Sequence, residues 1–377
     1  MDNILLSSAL AFLLTFFVIP VIIQVAKEKK LFDEPDERKV HKAVIPTLGG
    51  LGIFGGFILA TLMGVPPALS HQLQYFTAAI MVIFFLGIKD DILIISATKK
   101  FIGQLVAAGI IIKFGGIQIN NMHGLLGIYH IPQTASIFLT LFTIIVITNS
   151  FNLIDGVDGL AGSLGLLTSL VFGIYFLVID QLMYAVMAFA LSGSLVAFLI
   201  YNFSPAKIFM GDTGSLLLGL LNSIFVVKFI SVATDPVVSP NFPLQSVPAL
   251  GFAILIVPLF DTLRVFSLRI LNRRSPFSAD RNHIHHFLLD LGLSHKMITI
   301  VCVSVNILFI ALAYFLQAIG TTWVILSLAS SAVLFVGIVY YSRPKSKLIS
   351  VEPVVKEGKI LKSHKIFTLA SERLEQN

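Results

Sequence analysis

Long apolar segments recur along this chain, and nearly all of its charged residues lie in the gaps between them. Runs of about 20 apolar residues can cross a bilayer as helices. The chain is 56% hydrophobic and only 12% charged, which is far below the charge content of soluble domains. About eleven such segments occur, near 4–25, 47–65, 73–89, 101–114, 136–149, 160–179, 183–201, 213–231, 247–267, 298–317 and 321–341. We therefore predict an all-α integral membrane protein.

The basic residues divide sharply between two sets of gaps. All 26 Lys and Arg residues except Lys113 and Lys228 lie in alternate gaps and the adjoining segment ends. Loops rich in Lys and Arg remain cytoplasmic. The N-terminus is therefore predicted outside and the C-terminus in the cytoplasm. Because the basic residues are scattered among helix ends, we expect no nucleic-acid partner.

A single membrane domain, residues 1–342, and a basic cytoplasmic tail, residues 343–377, account for the chain. The lysines of the tail are interpreted as a solvated or headgroup-facing surface. The first segment has no basic residues before it and is longer than the apolar core of a signal peptide, so we expect an uncleaved helix. Cys302 is the only cysteine and cannot form an intrachain disulfide; we expect it to pack as a small apolar side chain.

Adjacent carboxylates mark the cytoplasmic end of the third segment. Asp90 and Asp91 follow it directly, and Lys99-Lys100 comes soon after. Two neighbouring carboxylates repel each other, so they require a cation, a proton or water. Mg²⁺ takes oxygen ligands and is often shared with a substrate phosphate, whereas a carboxylate can also act as a base. The alternative is a charged pair at a helix end in solvent.

Asn, Asp and Gly are concentrated in residues 149–162, between two apolar segments. Asp155 and Asp158 are three residues apart, which on a helix would place them on one face. The interleaved glycines allow a tight turn whose backbone can approach an anion. The alternatives are a plain turn, or Asp158 acting as a helix N-cap. Asp212, within residues 211–215, precedes a long helix and is interpreted either as its cap or as a metal ligand.

The longest cytoplasmic gap combines basic residues with three histidines. Asp261 and Arg264 have the spacing of an ion pair within a helix. Arg281 is followed by His283-Ile284-His285-His286. Three histidines suggest Zn²⁺, but no Cys is near and the spacing differs from that of zinc proteases. Arg and His can instead hold a diphosphate.

The loop before the second segment contains acidic and basic residues, including His41, and ends in Pro46-Thr47-Leu48-Gly49-Gly50. Pro46 and Thr47 suit the start of a helix. Gly49 and Gly50 permit close backbone approach by a helix or a ligand. The alternative is a polar loop without a specific role.

Together these loops resemble the polyprenyl-phosphate N-acetylhexosamine-1-phosphate transferases, in the branch that contains WecA and TagO, with MraY a more distant member. Residues 149–162 are similar to the family's NxxNxxDGxDGL motif, 211–215 to its GDxGS motif, and 280–286 to the DRxHIHH form of that branch. The resemblance runs from about residue 33 to residue 286, and an eleven-span, MraY-like topology extends it to about residue 341. Some members have a third acidic residue where this chain has Ile94, so we assign no role there.

The resemblance implies a reaction, a location and partners. N-acetylhexosamine-1-phosphate, with GlcNAc-1-phosphate favoured, would pass from its UDP-sugar to undecaprenyl phosphate with release of UMP. The site would face the cytoplasm from a bacterial inner membrane, at the first membrane step of a cell-envelope polysaccharide such as O-antigen or teichoic acid. Mg²⁺ is the expected cofactor, with Mn²⁺ as its substitute. Membrane lipids are expected partners, and a homodimer is common among MraY-like proteins.

The resemblance also assigns roles to particular residues. Asp212 and Asp155 are expected at the metal. Asp90 and Asp91 are expected at the lipid phosphate, and Asp155 and Asp158 complete the catalytic set. The predicted substrate-binding residues are His41, Lys100, Asn152, Arg281, His283, His285 and His286. Direct displacement is favoured, and a covalent aspartyl intermediate stays open.

Two other classes of protein share some of these features. A secondary transporter would explain many spans and intramembrane polar residues, but transporters place key residues near the bilayer midplane. Here the acidic residues lie at segment ends. A CDP-alcohol phosphotransferase also uses paired aspartates, but its DGxxAR signature is absent, because Asp158-Gly159 is followed by Leu160-Ala161-Gly162-Ser163.

Overall fold

The computed structural model describes residues 2–29, 45–93, 95–233, 244–273 and 282–344. Within these ranges helices dominate, as predicted, and every one of the eleven predicted segments contains helix. The helices are α1 Asp2–Lys29, α2 Gly49–Gly64, α3 Ser70–Leu93, α4 Ala97–Lys113, α5 Gln133–Ile154, α6 Leu160–Val178, α7 Leu182–Asn202, α8 Gly211–Val232, α9 Val247–Ile254, α10 Ile256–Leu271, α11 Ile284–Asp290, α12 His295–Leu316 and α13 Thr321–Ser342.

Seven of the described helices are long and apolar enough to cross a membrane: α1, α5, α6, α7, α8, α12 and α13. An eighth span is formed if α9 and α10, which are bent by 87° at a short break, are taken together. The protein is therefore a multi-span membrane protein. The remaining three predicted spans coincide with α2, α3 and α4, and the count of eleven stays a prediction.

The centre of the bundle is α8, which is the most buried of the spanning helices. Small residues let its neighbours approach closely, as is usual between membrane helices. A Cβ on Gly50 would lie 2.2 Å from the backbone nitrogen of Gly214, and one on Gly87 would lie 2.4 Å from the Cα of Thr213. The close approach predicted at Gly50 is thus confirmed, with a helix as the partner.

Backbone hydrogen bonds join the start of α2 to the start of α8. The N–H of Phe209 donates to the carbonyl of Pro46 at 2.7 Å, and the N–H of Gly49 donates back to Phe209 at 2.9 Å. The N–H of Gly50 donates to Met210 at 2.9 Å. These bonds place the Pro46–Gly50 segment beside the residues that introduce Asp212.

A small hairpin between α4 and α5 lies at the opposite end of the bundle. Its antiparallel strands are β1 Asn121–Leu125 and β2 Ile128–His130. The ring of His123 contacts the carbonyl of Ile230 near the end of α8, and the hydroxyl of Thr321 at the start of α13 donates to the carbonyl of His123 at 2.6 Å. The starts and ends of the helices therefore alternate between two faces. Among the described residues, this hairpin is the only sheet that is added to the predicted all-α fold.

Candidate active site at one end of the helix bundle

Four helix ends meet around the ammonium group of Lys100, which lies at the start of α4. Its Nζ is 2.6 Å from Asp90 Oδ2 at the end of α3 and 2.5 Å from Asp212 Oδ2 at the start of α8. Asn152, near the end of α5, donates to Asp212 Oδ1 at 2.6 Å and to the hydroxyl of Ser215 at 2.9 Å. The structure thus brings together four of the predicted site residues: Asp90, Lys100, Asn152 and Asp212.

The carboxylate of Asp91 accepts hydrogen bonds from residues at the start of α8. It accepts hydrogen bonds from the backbone N–H of Asp212 at 2.7 Å, from that of Thr213 at 3.0 Å and from the Thr213 hydroxyl at 2.5 Å. Such orphan N–H groups at a helix start are normally satisfied by a capping side chain. Asp91 provides this cap from another helix, so the alternative in which Asp212 caps its own helix is wrong.

Asp155 lies on the turn between α5 and α6. It follows the last residue of α5 and makes no hydrogen bond to another described residue. Loss of surrounding water, together with the charges of Asp212, Asp91 and Asp158, raises the pKa of Asp155 to about 8. Asp155 is therefore largely protonated near neutral pH unless a cation lies beside it.

Asp158 is buried and tied into the fold. One of its oxygens accepts from the backbone N–H of Ala206 at 3.2 Å, and the other lies 3.2 Å from His295 Nδ1. Its carbonyl accepts from the hydroxyl of Thr299 at 3.0 Å. The N-cap of α6 is Gly159, so the alternative in which Asp158 is the cap is wrong. The contacts of Asp158 join the α5–α6 turn to α12 and to the α7–α8 loop.

Asp261, in α10, organises the histidine segment. The predicted ion pair with Arg264 is confirmed, with Nη2 at 2.8 Å from Oδ1. The same carboxylate also accepts from the backbone N–H of Ile284 at 3.0 Å and contacts His283 Nδ1 at 2.8 Å. Arg264 donates in addition to the carbonyl of Asn282. The segment that precedes α11 is thus fixed to α10 through one buried aspartate.

The three histidines form a stack that reaches the Asp155 turn. The rings of His283 and His285 are nearly parallel, with centroids 5.6 Å apart, and His286 lies 4.3 Å from His285. A Cβ on Gly156 would lie 2.8 Å from His285 Nε2, so the ring fits only against a glycine. Burial, and then the neighbouring His286, lowers the pKa of His285 to about 3, which keeps this ring neutral.

Several predicted residues lie outside the described ranges. These are His41, Arg281 and the tail from residue 345 onward. Their predicted roles stay predictions.

Two polar pairings in this region were not predicted from the sequence: Gln104 with Asn149, and Asp261 with His283. The side-chain amides of Gln104 in α4 and Asn149 in α5 bond each other in both directions, at 2.8 and 3.3 Å. Asp261 was recognised only as the partner of Arg264. The available signal was polarity within an apolar segment, because polar groups at membrane depth are costly unless they are paired or functional.

The donor set is compatible with the predicted magnesium ion. Among the described residues, no three His, Cys, Asp or Glu side chains form a complete metal-binding group. Mg²⁺ commonly uses only one or two carboxylates and completes its shell with water and substrate phosphate. Asp155 and Asp212 supply oxygen ligands, and the neighbouring carboxylates that help to raise the pKa of Asp155 would favour a cation beside it. These residues fit a hard cation, and they do not resemble a Cys or His zinc site.

The fold and site define a multi-span membrane protein that collects carboxylates, an ammonium group and histidines at one end of its helices. Residues 73–230 match the family model described as glycosyl transferase family 4. The chain is 32% identical over 347 residues to the probable undecaprenyl-phosphate N-acetylglucosaminyl 1-phosphate transferase of Bacillus subtilis (strain 168), covering 90% of this chain and 92% of the relative. It belongs to glycosyl transferase family 4, as the motif resemblance predicted.

Two further relatives give the same picture. The decaprenyl-phosphate N-acetylglucosaminephosphotransferase of Mycolicibacterium smegmatis is 36% identical, over 70% of this chain and 69% of that protein. The undecaprenyl-phosphate alpha-N-acetylglucosaminyl 1-phosphate transferase of Escherichia coli (strain K12) is 30% identical, over 76% of each.

Proposed function

We propose that this protein transfers N-acetylglucosamine-1-phosphate from UDP-GlcNAc to undecaprenyl phosphate and releases UMP. The observation that carries the proposal is the Asp90–Lys100–Asp212 bridge at the meeting point of four helix ends, in a chain that aligns over most of its length with relatives named for this transfer. A transporter is not supported, because these groups lie at helix ends.

The proposed reaction joins two anionic substrates. An oxygen of the lipid phosphate attacks the sugar-bearing phosphorus of the UDP-sugar, and the bond from that phosphorus to UMP breaks. Lys100 is placed to offset the repulsion between the two phosphates. When bound, Mg²⁺ supplies further charge neutralisation on the phosphates and the leaving group. Asp155 and Asp212 are the residues proposed to hold it.

The remaining groups divide between positioning and binding. Asp90 is proposed to act beside the lipid phosphate, whereas Asp91 acts by fixing the start of α8. Asn152 orients the Asp212 carboxylate through the 2.6 Å hydrogen bond. The His283–His286 segment is proposed to meet the nucleotide sugar, together with Arg281 and His41 as the sequence predicts.

The proposal also places the site on the cytoplasmic face of a bacterial inner membrane. Two observations support this location. The Lys and Arg residues concentrate in the gaps at the site's end of the helices, and the relatives are bacterial.

The test is reconstitution. Purified protein in detergent would be incubated with undecaprenyl phosphate, MgCl₂ and a panel of UDP-sugars, and the lipid product identified by mass spectrometry alongside UMP release. We expect GlcNAc-pyrophosphoryl-undecaprenol and stoichiometric UMP, both abolished by EDTA and by Asp212→Asn. Asp290→Asn, which alters an exposed carboxylate, is the matched control. Absence of a lipid-linked sugar with every UDP-sugar, from folded protein, would refute the proposal.

A further inference from the structure

Asp261 connects two parts of the chain that are distant in sequence. Its side chain is only 3% exposed, and its two oxygens contact Arg264 of α10 and both His283 and Ile284 at the start of α11. A buried carboxylate is tolerated only where it is paired and hydrogen-bonded. The three contacts meet that requirement, and they fix the start of α11 relative to α10.

The contact with His283 also determines which ring nitrogen is the hydrogen-bond donor. An ionised carboxylate only accepts hydrogen bonds, so His283 Nδ1 is the donor in its 2.8 Å contact with Asp261 Oδ2. A carboxylate partner of this kind sets the tautomer and orientation of an imidazole. Asp261 therefore controls both where the ring lies and which nitrogen carries hydrogen.

The orientation of His283 is passed on by direct contact. His285 lies against it with ring planes inclined by only 6°. On its other side, His285 occupies the space that a side chain at Gly156 would need. Gly156 follows Asp155 directly, so two stacked rings join Asp261 to the turn that presents Asp155.

From this series of contacts we infer that Asp261 is a positioning residue for the nucleotide-sugar side of the site. It holds His283 and His285 against the Asp155–Gly156 turn and thereby sets the affinity for UDP-GlcNAc. Asp261 itself is too buried to contact the substrate. The inference rests on the proposed function.

A kinetic comparison separates positioning from simple stabilisation of the fold. Asp261→Asn keeps the size of the side chain but removes the charge and one acceptor oxygen. We expect the KM for UDP-GlcNAc to rise about tenfold, the range typical of losing a carboxylate that orients a histidine. The KM for undecaprenyl phosphate should stay within about twofold of wild type. Asp290→Asn is the control, because it removes an exposed carboxylate from the last turn of α11 whose partner among the described residues is Arg343.

A double-mutant cycle tests whether the effect passes through His283. In a His283→Asn background, Asp261→Asn should raise the KM for UDP-GlcNAc little further, because the two residues act as one unit. Independent, multiplicative losses would overturn the inference. Equal increases in the KM of both substrates, or an unchanged KM for UDP-GlcNAc in folded Asp261→Asn, would also overturn it.

Two further results keep the test decisive. If Asp261→Asn does not fold, His283→Asn carries the experiment, and a normal KM for UDP-GlcNAc in that folded variant overturns the inference. Failure of the wild-type protein to form any lipid-linked sugar would instead refute the proposed function. If the wild-type protein is active but the variants raise the KM values of both substrates equally, only the role of Asp261 is refuted.

Discussion

The carboxylate of Asp91 accepts a 2.7 Å hydrogen bond from the backbone N–H of Asp212, so one aspartate fixes the helix start that presents another. The two residues come from motifs that are 121 positions apart. The Asp90-Asp91 pair and the Gly211–Ser215 segment therefore behave as one structural unit. Asp90 pairs with Lys100, and Asp91 accepts hydrogen bonds from the backbone at the start of α8.

Replacing Asp91 by Ala should lower stability as well as activity. The change leaves two backbone N–H groups and one hydroxyl without their acceptor, which should cost about 2 kcal/mol. Unfolding can be followed with a thiol-reactive fluorogenic dye, because the single cysteine, Cys302, is buried until the protein opens. Asp290→Ala should leave the unfolding temperature unchanged. An inactive Asp91→Ala protein with wild-type stability would favour a purely chemical role for this carboxylate.

Replacing Lys100 by Met should increase the response of the protein to divalent cations. Asp90 and Asp212 would then face each other without the ammonium that bridges them, and a cation would relieve their repulsion. We expect turnover to be lost and MgCl₂ to raise the unfolding temperature more than in wild type. Lys99→Met, one residue earlier and exposed, is the control. An identical magnesium response in both variants would contradict the bridging role.

Acidification should destabilise the protein through His285. The ordinary pKa of this group is 6.5, and burial lowers it to about 3 in the folded state. The unfolded chain therefore binds a proton below about pH 6.5 that the folded protein does not, so stability falls by up to about 1.4 kcal/mol per pH unit. His285→Asn should flatten the decline in unfolding temperature between pH 6.5 and 5. The same decline should persist in His71→Asn, which changes an exposed ring.

Adding a methyl group at Gly156 should disturb the histidine segment. Its Cβ would lie 2.8 Å from His285 Nε2, so the ring must move. We expect Gly156→Ala to weaken use of UDP-GlcNAc in the reconstituted assay. Gly55→Ala is the matched control, because a Cβ at Gly55 meets nothing within 4 Å. Equal activities for the two variants would show that this contact is dispensable.

The predicted topology can be tested with single cysteines. Ser70 at the start of α3 and Ser294 before α12 are exposed at opposite ends of the bundle. Because Cys302 is buried, a membrane-impermeant thiol reagent applied to intact cells should label Ser70→Cys and spare Ser294→Cys. Labelling of Ser294→Cys alone would show that the topology is the reverse of the predicted one and that the candidate site faces outside.

The helical segments were predictable because the requirement to cross a bilayer leaves a strong local signal. Apolar length alone placed a helix within each predicted segment, and clustered charges indicated which helix ends carry chemistry. The break between α9 and α10 was missed although the sequence carries a signal for it: Pro258 has no N–H to donate to the carbonyl of Ile254, and a proline inside an apolar segment bends or breaks a helix. The hairpin was missed for another reason: its two short strands and the turn between them, with His123 and Leu126 at positive φ, are held by contacts with α8 and α13.

The roles within the site depend on contacts that no local pattern contains. Asp90 and Asp91 are indistinguishable as sequence, yet one pairs with Lys100 and the other caps α8. The sequence predicts the ion pair of Asp261 with Arg264, three residues later, but gives no sign of its contact with His283. Sequence could therefore name most members of the site, whereas their division of labour is set by the packing of helices distant in the chain.

Because Lys100 already pairs with Asp90 and Asp212, a charged ligand that binds there would replace one ionic partner by another. In the structure described, the ammonium already neutralises Asp90 and Asp212. In the proposed reaction, a substrate phosphate would compete with those carboxylates for the same positive group, and each carboxylate released would then need a new counter-ion. The site is thus arranged so that an anion and a cation enter most favourably together, and neither gains the full interaction by entering alone.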